Sequence, residues 1–166
     1  MTKSLDRNHL PIILFDIDYT LFNVDLFKES VFKQFEIYGE VEGVLIELSS
    51  LARLGIFSEG GYELQKAKLA RTNIKKYFRD EHTHIIFSKS NEIKKVLDRY
   101  KNKKIFFVDD KLTILHDAKK IMPSIFTIWV KRGKYAQGQA EIKNFKPDAT
   151  ITSLDQIISI VLSCKL

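Results

Sequence analysis

Asp16 and Asp18 stand two residues apart at the end of the apolar run Ile12-Ile13-Leu14-Phe15, with Thr20 two residues further on. Side chains alternate along a strand, so carboxylates spaced by two emerge on the same side of the backbone. Carboxylates are seldom buried unless paired or bound to a cation. The pattern points to a cation and to an acid/base pair.

Three later apolar runs end in chemistry of a matching kind. Leu54-Gly55-Ile56-Phe57 leads into Ser58, then Glu59, Gly60 and Gly61. His84-Ile85-Ile86-Phe87 leads into Ser88 and Lys89, and Ile105-Phe106-Phe107-Val108 into Asp109, Asp110 and Lys111. Acids, a hydroxyl, a lysine and a second acid pair are the parts that Mg²⁺-assisted phosphoryl transfer uses. Carboxylates hold the hard cation, while an ammonium, hydroxyls and amides offset the phosphoryl charge. The Gly60-Gly61 pair reads as a tight turn that lets the backbone approach a phosphate at a helix start.

These positions need strands to deliver them. Short apolar runs predict strands over 11–16, 54–58, 83–88, 104–109, 124–130 and 148–151. Amphipathic stretches between them predict helices over 25–38, 40–53, 61–71, 90–101, 112–121 and 154–163, the last capped by Ser153. Strand and helix in alternation make an α/β protein, a three-layer Rossmann-like domain with a central, mainly parallel sheet. In such sheets, sites gather beyond the C-terminal strand ends.

The order Asp16-Ile-Asp18-Tyr-Thr20, Ser58, Lys89, Asp109-Asp110 resembles the four motifs of the haloacid dehalogenase (HAD) superfamily, over about residues 11–160. The resemblance implies a single HAD-like domain over 1–166, with 22–53 as a small helical insertion or minimal cap. It implies a Mg²⁺-dependent phosphatase that hydrolyses a phosphomonoester through an aspartyl-phosphate. Asp16 would be the nucleophile and Asp18 the general acid/base. Ser58 would bind the phosphoryl group and Lys89 offset its charge. Asp16, the Asp18 carbonyl, Asp110 and Asp109 would hold the metal. Backbone donors near Ile17, Glu59 and Gly60 would complete the phosphate cradle; Thr20, grouped with Glu59 and Gly60 as substrate-binding, would mainly brace the turn that follows the nucleophile. Dehalogenases of the superfamily lack the second acid and its ion pumps place lysine there, so Asp18 points to phosphatase chemistry. Ile114 stands where many members carry a further acid, Asp109-Asp110 is a variant doublet, and Lys94 and Lys95 compete with Lys89 for the lysine role.

Composition narrows the setting. The chain has 166 residues, 45% hydrophobic and 29% charged, as in a globular protein with a substantial core. Its only cysteine, Cys164, excludes an internal disulfide. The N-terminus has no signal-peptide core and no apolar run approaches the length of a membrane span, so a soluble cytoplasmic protein with no membrane partner is expected. The net charge is +6, and residues 65–104 hold thirteen Lys or Arg against four Asp or Glu. That segment reads as solvated helix faces or as attraction to polyanions. The expected substrate is a phosphorylated small molecule, with a nucleotide or polynucleotide end as the alternative. A non-catalytic phosphate-binding module on the same fold is the reading from another class.

The 37 residues between Thr20 and Ser58 leave no room for a large cap. Aromatics over 21–38 are read mostly as a helix packing face, with a few able to line the mouth of the site, and the turn Lys131-Arg132-Gly133-Lys134-Tyr135 as a solvated loop or a contact for an anionic tail. Histidines 9, 82, 84 and 116 lack ligand spacing and are read as structural or surface residues, and Trp129 as core.

Overall fold

The computed structural model describes residues 10–164, Lys134 through its backbone only, so His9 lies outside the described residues. Six parallel strands, β1 Ile12–Phe15, β2 Arg53–Glu59, β3 Thr83–Ile86, β4 Ile105–Asp109, β5 Phe126–Val130 and β6 Ala149–Ile151, form one sheet. Their order is β3-β2-β1-β4-β5-β6. The strands are Val/Ile/Leu/Phe-rich runs because a parallel sheet is covered on both faces. Ile13 and Phe15 join Leu54, Ile56, Phe106 and Val108 on one face. Ile12 and Leu14 join Phe57, Phe107 and Trp129 on the other.

Helices α2 Val41–Leu51 and α7 Gln156–Ser163 pack together on the first face. Val41, Val44, Leu45 and Leu48 form the buried stripe of α2 at helical spacing. Helices α4 Lys89–Asp98 and α5 Leu112–Ile121 cover the second face, burying Ile93, Val96, Leu97, Leu112, Ile114, Leu115 and Ala118. Helix α3 Tyr62–Arg71 follows β2, and short helices α1 Val24–Glu29 and α6 Gly133–Gln137 lie in loops. From β1 the chain steps to β2 and β3, and from β4 it steps the opposite way to β5 and β6. The connections diverge between β1 and β4, which opens a crevice at their C-terminal ends. No helix among the described residues is long and apolar enough to cross a membrane.

Several elements depart from the sequence expectation. The helix expected over 25–38 ends at Glu29. Ser30 Oγ accepts from the amides of Lys33 and Gln34, and Val31 and Phe32 turn left-handed at φ 54° and 62°. The aromatics that mimicked a helix face are a cluster instead, with Phe22, Phe32 and Phe35 packed edge-on against Phe27. The segment expected as a cap, 22–53, therefore divides: α2 is the crossover helix of the core, and only residues before it lie over the strand ends. Strand β3 stops at Ile86, leaving Phe87 90% exposed. Ser153 does not cap α7; the Gln156 side chain accepts the amides of Thr152 and Ser153.

At the sheet edge, His84 Nε2 lies 2.6 Å from the Tyr100 hydroxyl, which also reaches His82 Nδ1 at 3.4 Å. The His116 ring lies tilted at 45° against Phe145, and Trp129 is core, donating to the Asp110 carbonyl. Burial, with the positive charge of Arg99 and the neighbouring His82, lowers the His84 pKa to about 4. The unfolded chain, titrating near 6.5, then binds the proton first, so folding stability falls as pH drops from about 6.5 to about 4. The variant His84→Gln keeps a partner for Tyr100 without that proton. Its melting temperature should fall less steeply over this window than that of the wild type; parallel curves would show that His84 does not carry the effect.

Candidate active site

Strand register builds the site. Phe15 pairs with Ile56 on one side and Val108 on the other, and the Asp16 amide donates to the Val108 carbonyl. Asp16, the next residue along, therefore comes level with Asp109 at the end of β4. Between them sits Lys89, the first residue of α4, whose Nζ is 2.6 Å from Asp16 Oδ1 and 2.5 Å from Asp109 Oδ2. Lys89 is 1% exposed, and Lys94 and Lys95 are exposed, paired with Asp98 and Glu92 on their own helix. Of the three lysines, only Lys89 meets the aspartates.

Electrostatics of the cluster follow from counting charges. Burial alone would lower the Lys89 pKa, but Asp109 and Asp16 outweigh it and hold the ammonium above its ordinary range. Burial raises Asp109 to about 6 against the pull of Lys89, with Asp16 raising it further. Asp110 rises to about 9 through burial and the charges of Asp109 and Asp16. Three carboxylates share one buried ammonium, which leaves a deficit of positive charge.

The doublet is not symmetric. Asp109 uses Oδ2 for Lys89 and Oδ1 for the Lys111 amide at 2.8 Å. Asp110 Oδ2 is buried with no hydrogen-bond partner among the described residues. Oxygens of Asp16, Asp109 and Asp110 lie within 4.8 Å of one another. An orphaned carboxylate oxygen facing an acid cluster suits a hard, oxygen-seeking divalent cation such as Mg²⁺, so these residues fit the expected metal.

Asp18 has partners that the sequence reading missed. Lys68 Nζ on α3 is 2.5 Å from its Oδ1, and Gln65 Nε2, one helical turn earlier, is 3.2 Å from its Oδ2. Gln65 is 1% exposed and its Nε2 also reaches Ser58 Oγ at 3.3 Å and the Glu59 carbonyl at 2.9 Å. Lys68 lies against the rings of Phe22 and Phe27. Polar residues repeating at i and i+3 on a helix just after the Ser58 turn were the only sequence signal for this clamp.

Three expected substrate residues are placed differently. Thr20 is fully buried and its Oγ1 has no partner, so it does not line the cavity. The Gly60 amide donates to the Ile86 carbonyl, a sheet bond that removes it from a phosphate cradle. Gly60 has φ 143°, which favours glycine, and an added Cβ would lie 3.0 Å from Gln65 Nε2. Glu59 acts through its carboxylate: Oε2 accepts the Lys89 amide at 2.7 Å and Oε1 the Lys111 ammonium at 3.0 Å. Burial works against that charge, but the Lys89 amide and Lys111 outweigh it and hold Glu59 below its ordinary range.

Within the turn after β5, Arg132 is neither solvated nor free to meet an anion. Arg132 donates to the backbone carbonyls of Tyr19 and Thr20, pairs with Glu40 and covers the Tyr38 ring at 3.7 Å. It clamps the loop after Asp16, where Tyr19 is left-handed at φ 58°. Gly133 has φ 70°, and a Cβ there would lie 2.6 Å from the Tyr19 ring.

Asp110 provides a test of the metal site. Without a cation it keeps its proton to about pH 9, whereas the unfolded residue loses it near 3.8. The native state then holds the extra proton, so this group's contribution to stability falls as pH rises through that window. A divalent cation competes with the proton, so the rise in melting temperature on adding Mg²⁺ should be larger at pH 8 than at pH 6. In Asp110→Asn the Mg²⁺-induced rise should vanish, while the metal-free protein melts no lower than wild type. A rise independent of pH and of this substitution would exclude Asp110 as a ligand.

No family model matches the chain, and no curated protein matches its sequence. Solved structures do match. A protein described as a haloacid dehalogenase-like hydrolase from Burkholderia xenovorans LB400 superposes with a TM-score of 0.81 at 18% identity, over 95% of this chain and 99% of that one. The HAD-hydrolase YfnB from Bacillus subtilis, bound to magnesium, gives 0.68 at 12% identity over 92% and 99%. A 2-haloacid dehalogenase from Pseudomonas syringae pv. Tomato DC3000 gives 0.66 at 16% identity over 95% and 100%. With its parallel sheet and its acids gathered beyond β1 and β4, this chain has the fold of the haloacid dehalogenase-like hydrolases.

Proposed function

We propose that the protein is a Mg²⁺-dependent phosphatase that hydrolyses a phosphomonoester through an aspartyl-phosphate on Asp16. The observation that carries this reading is the buried cluster in which Lys89 bridges Asp16 and Asp109 while an oxygen of Asp110 has no partner. Asp16 and Asp110, with the backbone carbonyl of Asp18, would hold Mg²⁺; Asp109 holds Lys89 in place. When bound, the cation supplies positive charge that offsets the phosphoryl oxygens and orients the ester.

An Asp16 oxygen attacks phosphorus as the bond from phosphorus to the ester oxygen breaks, and the departing alcohol takes a proton from Asp18. Water then attacks the aspartyl-phosphate and gives its proton to Asp18, releasing phosphate and restoring Asp16. Lys89 balances the charge on the nucleophile, and Ser58, whose oxygen receives Gln65 Nε2, keeps its hydroxyl proton to donate to phosphate. Lys68 and Gln65 keep Asp18 aimed at the ester oxygen. Residues before α2 act as a minimal cap.

Structural neighbours include dehalogenases, so the second acid decides between the chemistries. A halide leaves without a proton, whereas an alkoxide does not, and Asp18 stands where that proton is needed. The basic segment favours polynucleotide ends less than its charge suggests, because Lys68 and Lys89 are buried in the site and Lys76, Lys94 and Lys101 pair with acids.

Hydrolysis of p-nitrophenyl phosphate should require Mg²⁺ and be abolished by Asp16→Asn with the fold intact. Asp18→Asn should lower kcat by ~10²–10⁴-fold for alkyl phosphates and much less for p-nitrophenyl phosphate, whose leaving group needs no proton. Equal losses for both esters would remove Asp18 from the acid role, and turnover by Asp16→Asn would remove Asp16 as nucleophile.

A further inference from the structure

The cavity above Asp16 and Asp18 has a volume of about 330 Å³. Charged groups around the aspartates line part of it, and Tyr19, Val24, Phe27, Phe32, Leu64 and Tyr135, with Lys28 among them, line the rest. Phe32, Leu64 and Tyr135 are 62%, 45% and 49% exposed, which places three large apolar side chains around one opening. Scattered apolar residues on a surface carry no message, but a group rimming a polar site marks a binding surface.

The backbone is strained to make this wall. Val31 and Phe32 are both left-handed, which a β-branched residue adopts only when its surroundings impose it. The Phe32 amide donates to the Phe27 carbonyl at 2.8 Å, and its ring meets Phe27 edge-on at 5.3 Å. The turn thus sets Phe32 at the mouth, on top of a buried ring. The charged groups beside the aspartates are engaged with one another, while Lys28 and the Tyr135 hydroxyl stand at the rim. Lys68 is committed to Asp18 and Lys111 to Glu59, and the Tyr19 hydroxyl lies between Asp25 and Lys28.

Resting on the phosphatase reading above, we infer that this cavity selects phosphomonoesters whose alcohol is compact and apolar, an aromatic ring above all, and disfavours sugar and polyol phosphates. An apolar ring gains by leaving water against these walls. A polyol would give up water for its hydroxyls against Val24, Phe27, Phe32 and Leu64, which offer them no partner.

The test compares 2-phenylethyl phosphate with glycerol 1-phosphate, both primary-alcohol esters, so that the need for a proton on the leaving group is similar. With Mg²⁺, kcat/KM should favour the phenylethyl ester by at least ~30-fold. In Phe32→Ala and Leu64→Ala, both at exposed positions, that preference should shrink at least ~5-fold through a higher KM for the aromatic ester. Equal use of the two esters, or preference for the polyol, overturns this inference and leaves the phosphatase reading standing. Equilibrium binding of both esters to Asp16→Asn with Mg²⁺ separates the two ideas if neither is turned over. A preference for the aromatic ester there supports the cavity's selectivity while the hydrolytic reading falls; equal binding overturns the selectivity itself.

Discussion

One buried ammonium holds this site together. Lys89 Nζ reaches carboxylates from two strands, β1 and β4, at the point where the chain connections diverge. Without it two buried anions would face each other, and an uncompensated charge of that kind costs about 3–5 kcal/mol. The bridge is in turn prepared by Glu59, which fixes the first amide of α4 and so the point from which the Lys89 side chain departs. Register in the sheet, a helix start and an ion pair all depend on this one geometry.

The charge deficit around Lys89 explains why the site suits a cation. Three carboxylates cannot all ionise beside one ammonium in a buried setting, so Asp110 is driven up furthest. A divalent ion would supply the missing charge and give the orphaned Asp110 oxygen a partner. Asp109 and Asp110 look equivalent as neighbours in a chain, yet they differ in role because one side chain already spends both oxygens on Lys89 and the Lys111 amide.

A second layer holds the loop that carries Asp18. From one side α3 brings Lys68 and Gln65 to its carboxylate; from the other, Arg132 fastens the carbonyls of Tyr19 and Thr20 and is fixed by Glu40. Glycine at 133 admits the Tyr19 ring. The loop is tight and left-handed at Tyr19, and such a conformation persists only when the surroundings over-determine it.

The sequence by itself determined the strands, their parallel arrangement and the identity of the four strand-end motifs, because period-two burial and short apolar runs are local properties of the chain. Asp16, Asp18, Ser58, Lys89, Asp109 and Asp110 were legible for the same reason: each stands just beyond the end of an apolar run. Tertiary structure decided the rest. It chose Lys89 over Lys94 and Lys95, separated Asp109 from Asp110, buried Thr20, tied the Gly60 amide to the sheet, and ended the first helix at Glu29. It also brought in Gln65, Lys68 and Arg132, which lie 47, 50 and 113 residues from the atoms they hold. Contacts over such separations leave no periodic trace in a sequence; they exist only once the sheet has set the register that brings the partners together.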